Sequence, residues 1–446
     1  MSTSSTVEDI YPLSPMQQGM LFHSILAPES GVYLERFDCS LRGDLDVQAF
    51  ATAWQRVFDR HPALRTAFVW EGLDEPLQVV HRGLEVPLEV VDWRELPADL
   101  QQERLEALAS ATAKEQVVLS EPPLMRLKLI RIGEDSYRFI WSHHHLLLDG
   151  WSMPLVLREV MAFYEAIRQG QEPPLAPVRP YRDYIAWLQQ QDRATAEIFW
   201  RRTLQGFTAP TSLVADCGRG NPGAGADYAE EHTCLPAATS AALQTVARQH
   251  GLTLNAVLQG AWALLLNRYS GEDDVVFGAT VAGRPPDLPG AESIVGLFIN
   301  TLPVRIHLSG EAELIPWLRE LQARQAEIRQ HEHTPLVEIQ KWSDLPPGTS
   351  LFESIFVFEN YPVDASVRAG SGNLEICDIR SFSRTNYPLT IVAAPGSEIM
   401  LSAAYDRNRF SAGTITRMLE HLGTLLTSMA VDPTQTLGAL PLLPQH

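Results

Sequence analysis

Residues 137–152, YRFIWSHHHLLLDGWS, restrict the fold of this chain more than any other stretch. Strand alternation puts Tyr137, Phe139, Trp141, His143 and His145 on one face and Arg138, Ile140, Ser142 and His144 on the other. A strand therefore ends in imidazoles. Three apolar residues follow, then Asp149-Gly150, where glycine suits a tight turn that a side chain would obstruct.

Helical and strand periods alternate around this segment, the pattern of an α/β (α+β) protein. In residues 47–58 the apolar positions Val47, Phe50, Ala51, Trp54, Val57 and Phe58 recur at three- and four-residue steps, and His61-Pro62 stops the helix. Helical spacing also predicts helices over 155–169, 182–204, 238–250, 254–269, 314–331 and 414–429. Strands are predicted over 124–132, 137–145, 274–281, 302–306, 353–359 and 399–405. The length of 446 residues allows two to four domains at ~100–200 residues each. Four prolines in QEPPLAPVRP (171–180) break the helical period, which suggests a division into residues 1–175 and 176–446. A formal G-x-G-x-x-G at Gly218, Gly220 and Gly223 is rejected as a nucleotide site, because Pro222 lies inside it and no helix pattern follows; it reads as a linker.

Composition removes several function classes. With 35 Lys+Arg against 54 Asp+Glu the formal charge is -19, so the general field repels phosphate backbones and anionic lipid, and neither nucleic acid nor membrane is an expected partner. The only lysines are Lys114, Lys128 and Lys341, and none sits in a P-loop. Cys39, Cys217, Cys234 and Cys377 show no C-x-x-C spacing, which fits a reducing cytoplasm better than a disulfide scaffold or zinc knuckle. The opening MSTSSTVEDIYPLSP lacks the basic and apolar regions of a signal peptide.

The histidine run admits three chemistries. A metal site could use His143 and His145, but no well-spaced third ligand accompanies them, and His331-Glu332-His333 reads as a solvated helix end. Structural histidines are the second reading. An acyl-transfer site is the third.

The surrounding sequence favours the third. His144-His145-Leu146-Leu147-Leu148-Asp149-Gly150 resembles the HHxxxDG motif of nonribosomal peptide synthetase condensation domains. YPLSPMQQGMLFHSIL (11–26) resembles the first core motif of that family, RHPALRTAF (60–68) the second and YRDYIAWL (181–188) the fourth. VFGATVAGRP (276–285) with IVGLFINTLPVR (294–305) resembles the fifth, and TNYPLT (385–390) with YDRNRF (405–410) the last. SPMQQGMLFH, DGWSMP and LFESIFVFENYP are similar to the subclass that joins an L-donor to an L-acceptor.

The resemblance implies two chloramphenicol acetyltransferase-like lobes in a V-shaped pseudo-dimer around a central tunnel, the first carrying HHxxxDG and the second the latch and floor loop. It implies an acyltransferase that forms amide bonds by thioester aminolysis, with both substrates on 4'-phosphopantetheine arms and no other cofactor or metal. Donor and acceptor carrier domains and a neighbouring adenylation domain are the expected partners, and no homo-oligomer is expected. His145 is the implied catalytic residue, with His143, His144, Asp149, Gly150, Trp151 and Ser152 shaping the site. Asp149 is expected to pair with Arg65 and hold the histidine loop. Asn300, Asn386 and Tyr387 are expected as polar site or tunnel residues. The phenylalanines Phe352, Phe356 and Phe358 read as sheet core. A noncatalytic condensation-like domain that recruits a partner enzyme is the alternative, and its histidine motif would be degraded, unlike this one.

Overall fold

The computed structural model describes residues 6–112, 117–213, 227–360 and 374–443. The glycine-rich stretch read as a linker lies almost wholly outside them, as does Cys217. In chain order the strands are β1 (Val7–Pro12), β2 (Leu34–Arg42), β3 (Thr66–Val69), β4 (Leu77–His81), β5 (Leu88–Asp92), β6 (Met125–Gly133), β7 (Ser136–His144), β8 (Tyr228–Cys234), β9 (Asp274–Val281), β10 (Asn300–His307), β11 (Ser354–Phe358), β12 (Glu375–Phe382), β13 (Leu389–Ala394) and β14 (Met400–Asp406). The helices are α1 (Pro15–Leu26), α2 (Val47–Arg60), α3 (Ala98–Thr112), α4 (Ser152–Gln169), α5 (Arg182–Leu188), α6 (Arg193–Leu204), α7 (Ala237–His250), α8 (Leu254–Ser270), α9 (Leu314–Arg329), α10 (Leu336–Trp342) and a last helix, Ala412–Val431.

These elements form two compact units that share the chain. The first takes Met1–Gln191, Arg284–Ile299 and Tyr361–Asn386; the second takes Asp192–Gly283, Asn300–Asn360 and Tyr387–His446. The expected break after residue 175 is thus displaced, and neither unit is contiguous. The physical reason is that the proline-rich segment is anchored in the first unit. Leu175 packs on that unit's core, the Arg60 guanidinium donates to the Ala176 carbonyl, and Tyr181 is buried. The single helix expected over 182–204 is two, α5 and α6, separated by a short break where the Asp192 side chain caps α6 through the N–H groups of Ala194 and Thr195.

The first unit carries a sheet ordered β12-β2-β7-β6-β5 and a smaller one ordered β1-β4-β3. β2 and β7 run antiparallel, as do β6 and β7, while β5 lies parallel to β6. The spacing that predicts α2 also fixes its packing: Phe50, Trp54, Val57 and Phe58 are all buried, and Asp46 caps the helix by accepting the Ala49 N–H. Trp54 meets Phe139 and Trp141 of β7 at ring separations of 5.6 and 5.2 Å, one of them edge-on. The aromatic face of β7 is therefore clamped, which fixes where its histidine end sits.

The second unit carries a sheet ordered β10-β9-β11-β13-β14-β8, in which β11 runs parallel to both β9 and β13. Its core is continuous from Trp200 and Trp262 through Phe277 to the last helix. Phe352 and Phe356 are buried in this core, as expected of sheet residues, and Phe358 packs on its edge. Among the described residues no helix is long and apolar enough to cross a membrane.

Candidate active site

β7 ends one residue earlier than strand alternation predicts, at His144, and His145 opens a turn. The imidazole of His145 is consequently turned away from the strand ladder and is held locally. Its Nδ1 lies 2.8 Å from the Leu148 carbonyl. A carbonyl only accepts, so Nδ1 carries the proton of the neutral ring and Nε2 keeps its lone pair. The His145 backbone N–H donates to the Tyr33 carbonyl at 2.8 Å. Tyr33 adopts a φ of 64°, unusual for a residue with a Cβ, and its hydroxyl donates to Asn386 Oδ1 at 2.7 Å. Asn386 Nδ2 lies 3.1 Å from His23 Nε2.

His144 and His143 are buried and play a different part. The Leu146 N–H donates to His144 Nδ1 at 3.2 Å, which leaves the proton on Nε2, 3.2 Å from the Ser24 hydroxyl. Burial, reinforced by the nearby His145, pushes the His144 imidazole down to about 3. Burial also holds His143 well below its ordinary range, against the Trp141 ring at 5.0 Å. Both rings stay neutral in the folded state. Their contribution to stability is present above the free-imidazole pKa of ~6.5 and is lost as pH falls below it, where the unfolded chain takes up protons.

Asp149 is fully enclosed, and its carboxylate is spent on internal partners. Its Oδ1 accepts from the Ser152 N–H at 2.9 Å, the Ser152 hydroxyl at 2.8 Å and Arg284 Nη2 at 3.1 Å. Its Oδ2 accepts from the Phe298 N–H at 3.0 Å. The expected pair with Arg65 is not formed. Arg65 is itself buried, and its guanidinium is occupied by the carbonyls of Phe58, Asp59 and His81 and by Glu8 at 2.7 Å. Arg284, in the VAGRP stretch, takes the role instead, also donating to the Ile294 carbonyl at 2.8 Å and lying 4.2 Å from the Phe298 ring centre.

Ser152 is buried within this network, and its hydroxyl oxygen accepts the Gly296 N–H at 3.1 Å. Gly296 must be glycine, because a Cβ there would overlap the Tyr181 ring. Trp151 is half-buried and donates from Nε1 to the Glu292 carbonyl at 3.1 Å. Gly150 lies in the turn between Asp149 and α4, outside the left-handed region.

Two further side chains hold the loop or face it without having been singled out by the sequence. Gln17 is buried at the start of α1, where it completes a capping box with Ser14, and its Nε2 donates to the Leu146 carbonyl at 3.0 Å. The S-x-x-Q spacing was the available signal. Glu35 on β2 is the other, with Oε1 3.9 Å from His145 Nε2. Gln17→Ala is expected to lower stability by about 1–2 kcal/mol, since it removes one half of the box and a buried bond to the histidine loop. A thermal melt checks this, and an unchanged midpoint would show that the loop stands without it.

The remaining expected site residues belong to the second unit. Asn300 Nδ2 donates there to the Glu332 and Thr334 carbonyls, both at 2.8 Å, and its Oδ1 accepts the Thr301 N–H. Its polar atoms are engaged by backbone. Tyr387 stacks on Phe352 at 5.4 Å, with burial raising its phenol well above the usual range.

His331-Glu332-His333 is not the solvated helix end expected of it. All three residues are half-buried, and His331 stacks on Phe199 at 4.3 Å. Burial pushes the Glu332 carboxyl up to about 7, against a smaller opposing effect of Arg329. A raised folded-state pKa means that stability declines as pH rises from 4.5 through about 7. Glu332→Gln is therefore expected to raise stability at pH 8 by roughly 1–2 kcal/mol and to change little near pH 4.5. Melts at the two pH values test the sign. Among the described residues no three His, Cys, Asp or Glu side chains group as metal ligands.

Residues 7–446 match the family model for the condensation domain. The chain is 45% identical over 440 residues to one linear gramicidin synthase polypeptide of Brevibacillus parabrevis, covering 99% of this chain and 6% of that protein. It is 47% identical to another polypeptide of the same synthase, covering 98% of this chain and 9% of the relative. The chain thus spans less than a tenth of either relative. Among solved structures, the starter condensation domain of rhizomide synthetase in complex with C8-CoA matches with a TM-score of 0.84 at 22% identity, covering 97% of this chain and 98% of that one. The first condensation domain of the calcium-dependent antibiotic synthetase, in complex with a substrate analogue, matches with a TM-score of 0.82 at 20% identity, covering 98% and 100%. These two likenesses establish a shared fold.

Proposed function

Because the chain belongs to the condensation domain family, we propose that it forms amide bonds, the α-amine of one aminoacyl thioester attacking the carbonyl of an upstream aminoacyl or peptidyl thioester. Both substrates arrive on phosphopantetheine arms of carrier domains, beside an adenylation domain of the same synthetase. The first-motif and DGWSMP residues support an L-configured donor and acceptor.

The observation that carries this reading is the state of His145. Its Nδ1 proton is committed to the Leu148 carbonyl, which leaves Nε2 as a proton acceptor on a partly accessible ring. As the amine nitrogen bonds to the thioester carbon it gives a proton to Nε2. The imidazolium returns that proton to sulfur as the C–S bond breaks, so the ring ends as it began. Holding two tethered substrates together supplies a further large part of the rate. Asp149, Arg284 and Ser152 touch neither substrate; they keep the loop that aims His145.

The test loads separate donor and acceptor carrier domains with defined aminoacyl groups and follows the dipeptidyl thioester. The wild-type chain should form it, and His145→Ala should form little. If no donor and acceptor pair gives product with the wild type, and His145→Ala behaves identically, the amide-forming reading fails.

A further inference from the structure

Among the described residues, three buried carboxylates of the first unit sit on or beside the sheet that carries the histidines, and two of them have guanidinium partners. Asp38 is paired with Arg36 and Arg138, and Asp149 with Arg284. Glu35 differs. Its side chain is only 11% exposed, yet its neighbours are the Ser383 hydroxyl, donating to Oε1 at 2.6 Å, and the His145 ring. A carboxylate buried without a matching cation is costly, and a cation arriving from outside would relieve that cost.

We propose that Glu35 is the anionic half of a binding site for the α-ammonium group of the acceptor, with His145 Nε2 as the other half. This rests on the amide-forming reading above and extends it to how the nucleophile is recognised. A free α-amine has a pKa of ~7.7–8.0, so near pH 7 the acceptor presents an ammonium ion whose nitrogen has no lone pair to attack with. The two acceptors, Oε1 and Nε2, stand 3.9 Å apart. One nitrogen donating to both at ~2.9 Å, with its N–H bonds diverging by ~90–110°, spans acceptors about 4–5 Å apart. One small adjustment seats it.

The proton balance also calls for two acceptors. In becoming an amide the ammonium nitrogen goes from three N–H bonds to one. One proton leaves through His145 to the departing thiol; the other passes to Glu35 and then to solvent. Burial raises the Glu35 carboxyl above the ordinary carboxylate range, although His145 and the Ser383 bond act against it, which improves it as the first acceptor. The groups facing it are His145, Ser383 and, directly across the ladder on β7, the neutral His143. Arg36 follows it in sequence but serves Asp38 and lies over the Phe382 ring.

Glu35→Gln keeps the size of the side chain and an oxygen for Ser383 but removes the charge. In the loaded-carrier assay it is expected to raise KM for the aminoacyl acceptor by about 10- to 100-fold, with KM for the donor unchanged. A competing acceptor carrier whose acyl group lacks the α-amine should inhibit variant and wild type equally. The deficit should shrink at pH 9, where the amine is already neutral. Parallel weakening of donor, acceptor and amine-free competitor would show that Glu35 only supports the fold, and an unchanged acceptor KM would remove it from amine binding. Either result overturns the inference while product formation by the wild type leaves the amide-forming reading intact.

Discussion

Replacing His145 with alanine is expected to slow amide formation by about 10²- to 10⁴-fold while the chain stays folded. Both halves of this expectation follow from the same geometry. The imidazole makes one hydrogen bond, to the Leu148 carbonyl, while the backbone N–H that ties the residue to Tyr33 survives in alanine. What is lost is the Nε2 lone pair. Single-turnover transfer between loaded carriers measures the rate, and a thermal melt of the same sample measures the fold. A variant that transfers at the wild-type rate would assign catalysis to substrate proximity alone. A variant that unfolds would make His145 a structural residue like His144.

Asp149→Ala is expected to have the largest effect on stability, about 3–5 kcal/mol, because it strands a buried guanidinium. Arg284 has 6% of its side chain exposed, and one of its nitrogens depends on the Asp149 carboxylate and the Ser152 hydroxyl. Arg284→Ala should cost a similar amount for the mirror-image reason. The pair is best read as a cycle. Asp149 and Arg284 should be strongly non-additive, whereas Asp149 and Arg65, which share no partner, should add to within about 0.5 kcal/mol. Coupling of Asp149 to Arg65 instead would restore the pairing expected from the motifs. A folded, stable but inactive Asp149→Ala would move the aspartate into direct chemistry.

The two arginines show where the sequence is readable and where it is not. α2 announces itself because one face of it is buried and the other wet, so the apolar residues keep helical spacing. β7 is legible for a similar reason, down to its cluster of imidazoles. Which arginine reaches Asp149 is a matter of tertiary distance: Arg284 is 135 residues away, and nothing local distinguishes it from Arg65. β2 alternates over only five residues, Phe37, Cys39 and Leu41 against Asp38 and Ser40, and its start is masked by the charged neighbours Glu35 and Arg36, which do not read as sheet. Glu35 therefore passes unnoticed although it faces His145. The termination of β7 at His144 is invisible for another reason, since it depends on the Tyr33 carbonyl capturing the next N–H.

The interleaving of the two units has a consequence for how the chain is made. Synthesis proceeds from the N-terminus at about 5–20 residues per second. Asp149 leaves the ribosome long before Arg284, and β2 waits still longer for β12, its neighbour at the sheet edge, since Ser40 and its partner Asp378 are 338 residues apart. That interval amounts to roughly 20 to 70 seconds. Throughout it the nascent first unit carries an open strand edge, and between the synthesis of Asp149 and that of Arg284 an unneutralised interior charge as well. Vectorial folding of this protein is thus limited by its late segments, and a chaperone that shields strand edges would act on β2 during elongation and become dispensable once β12 has docked.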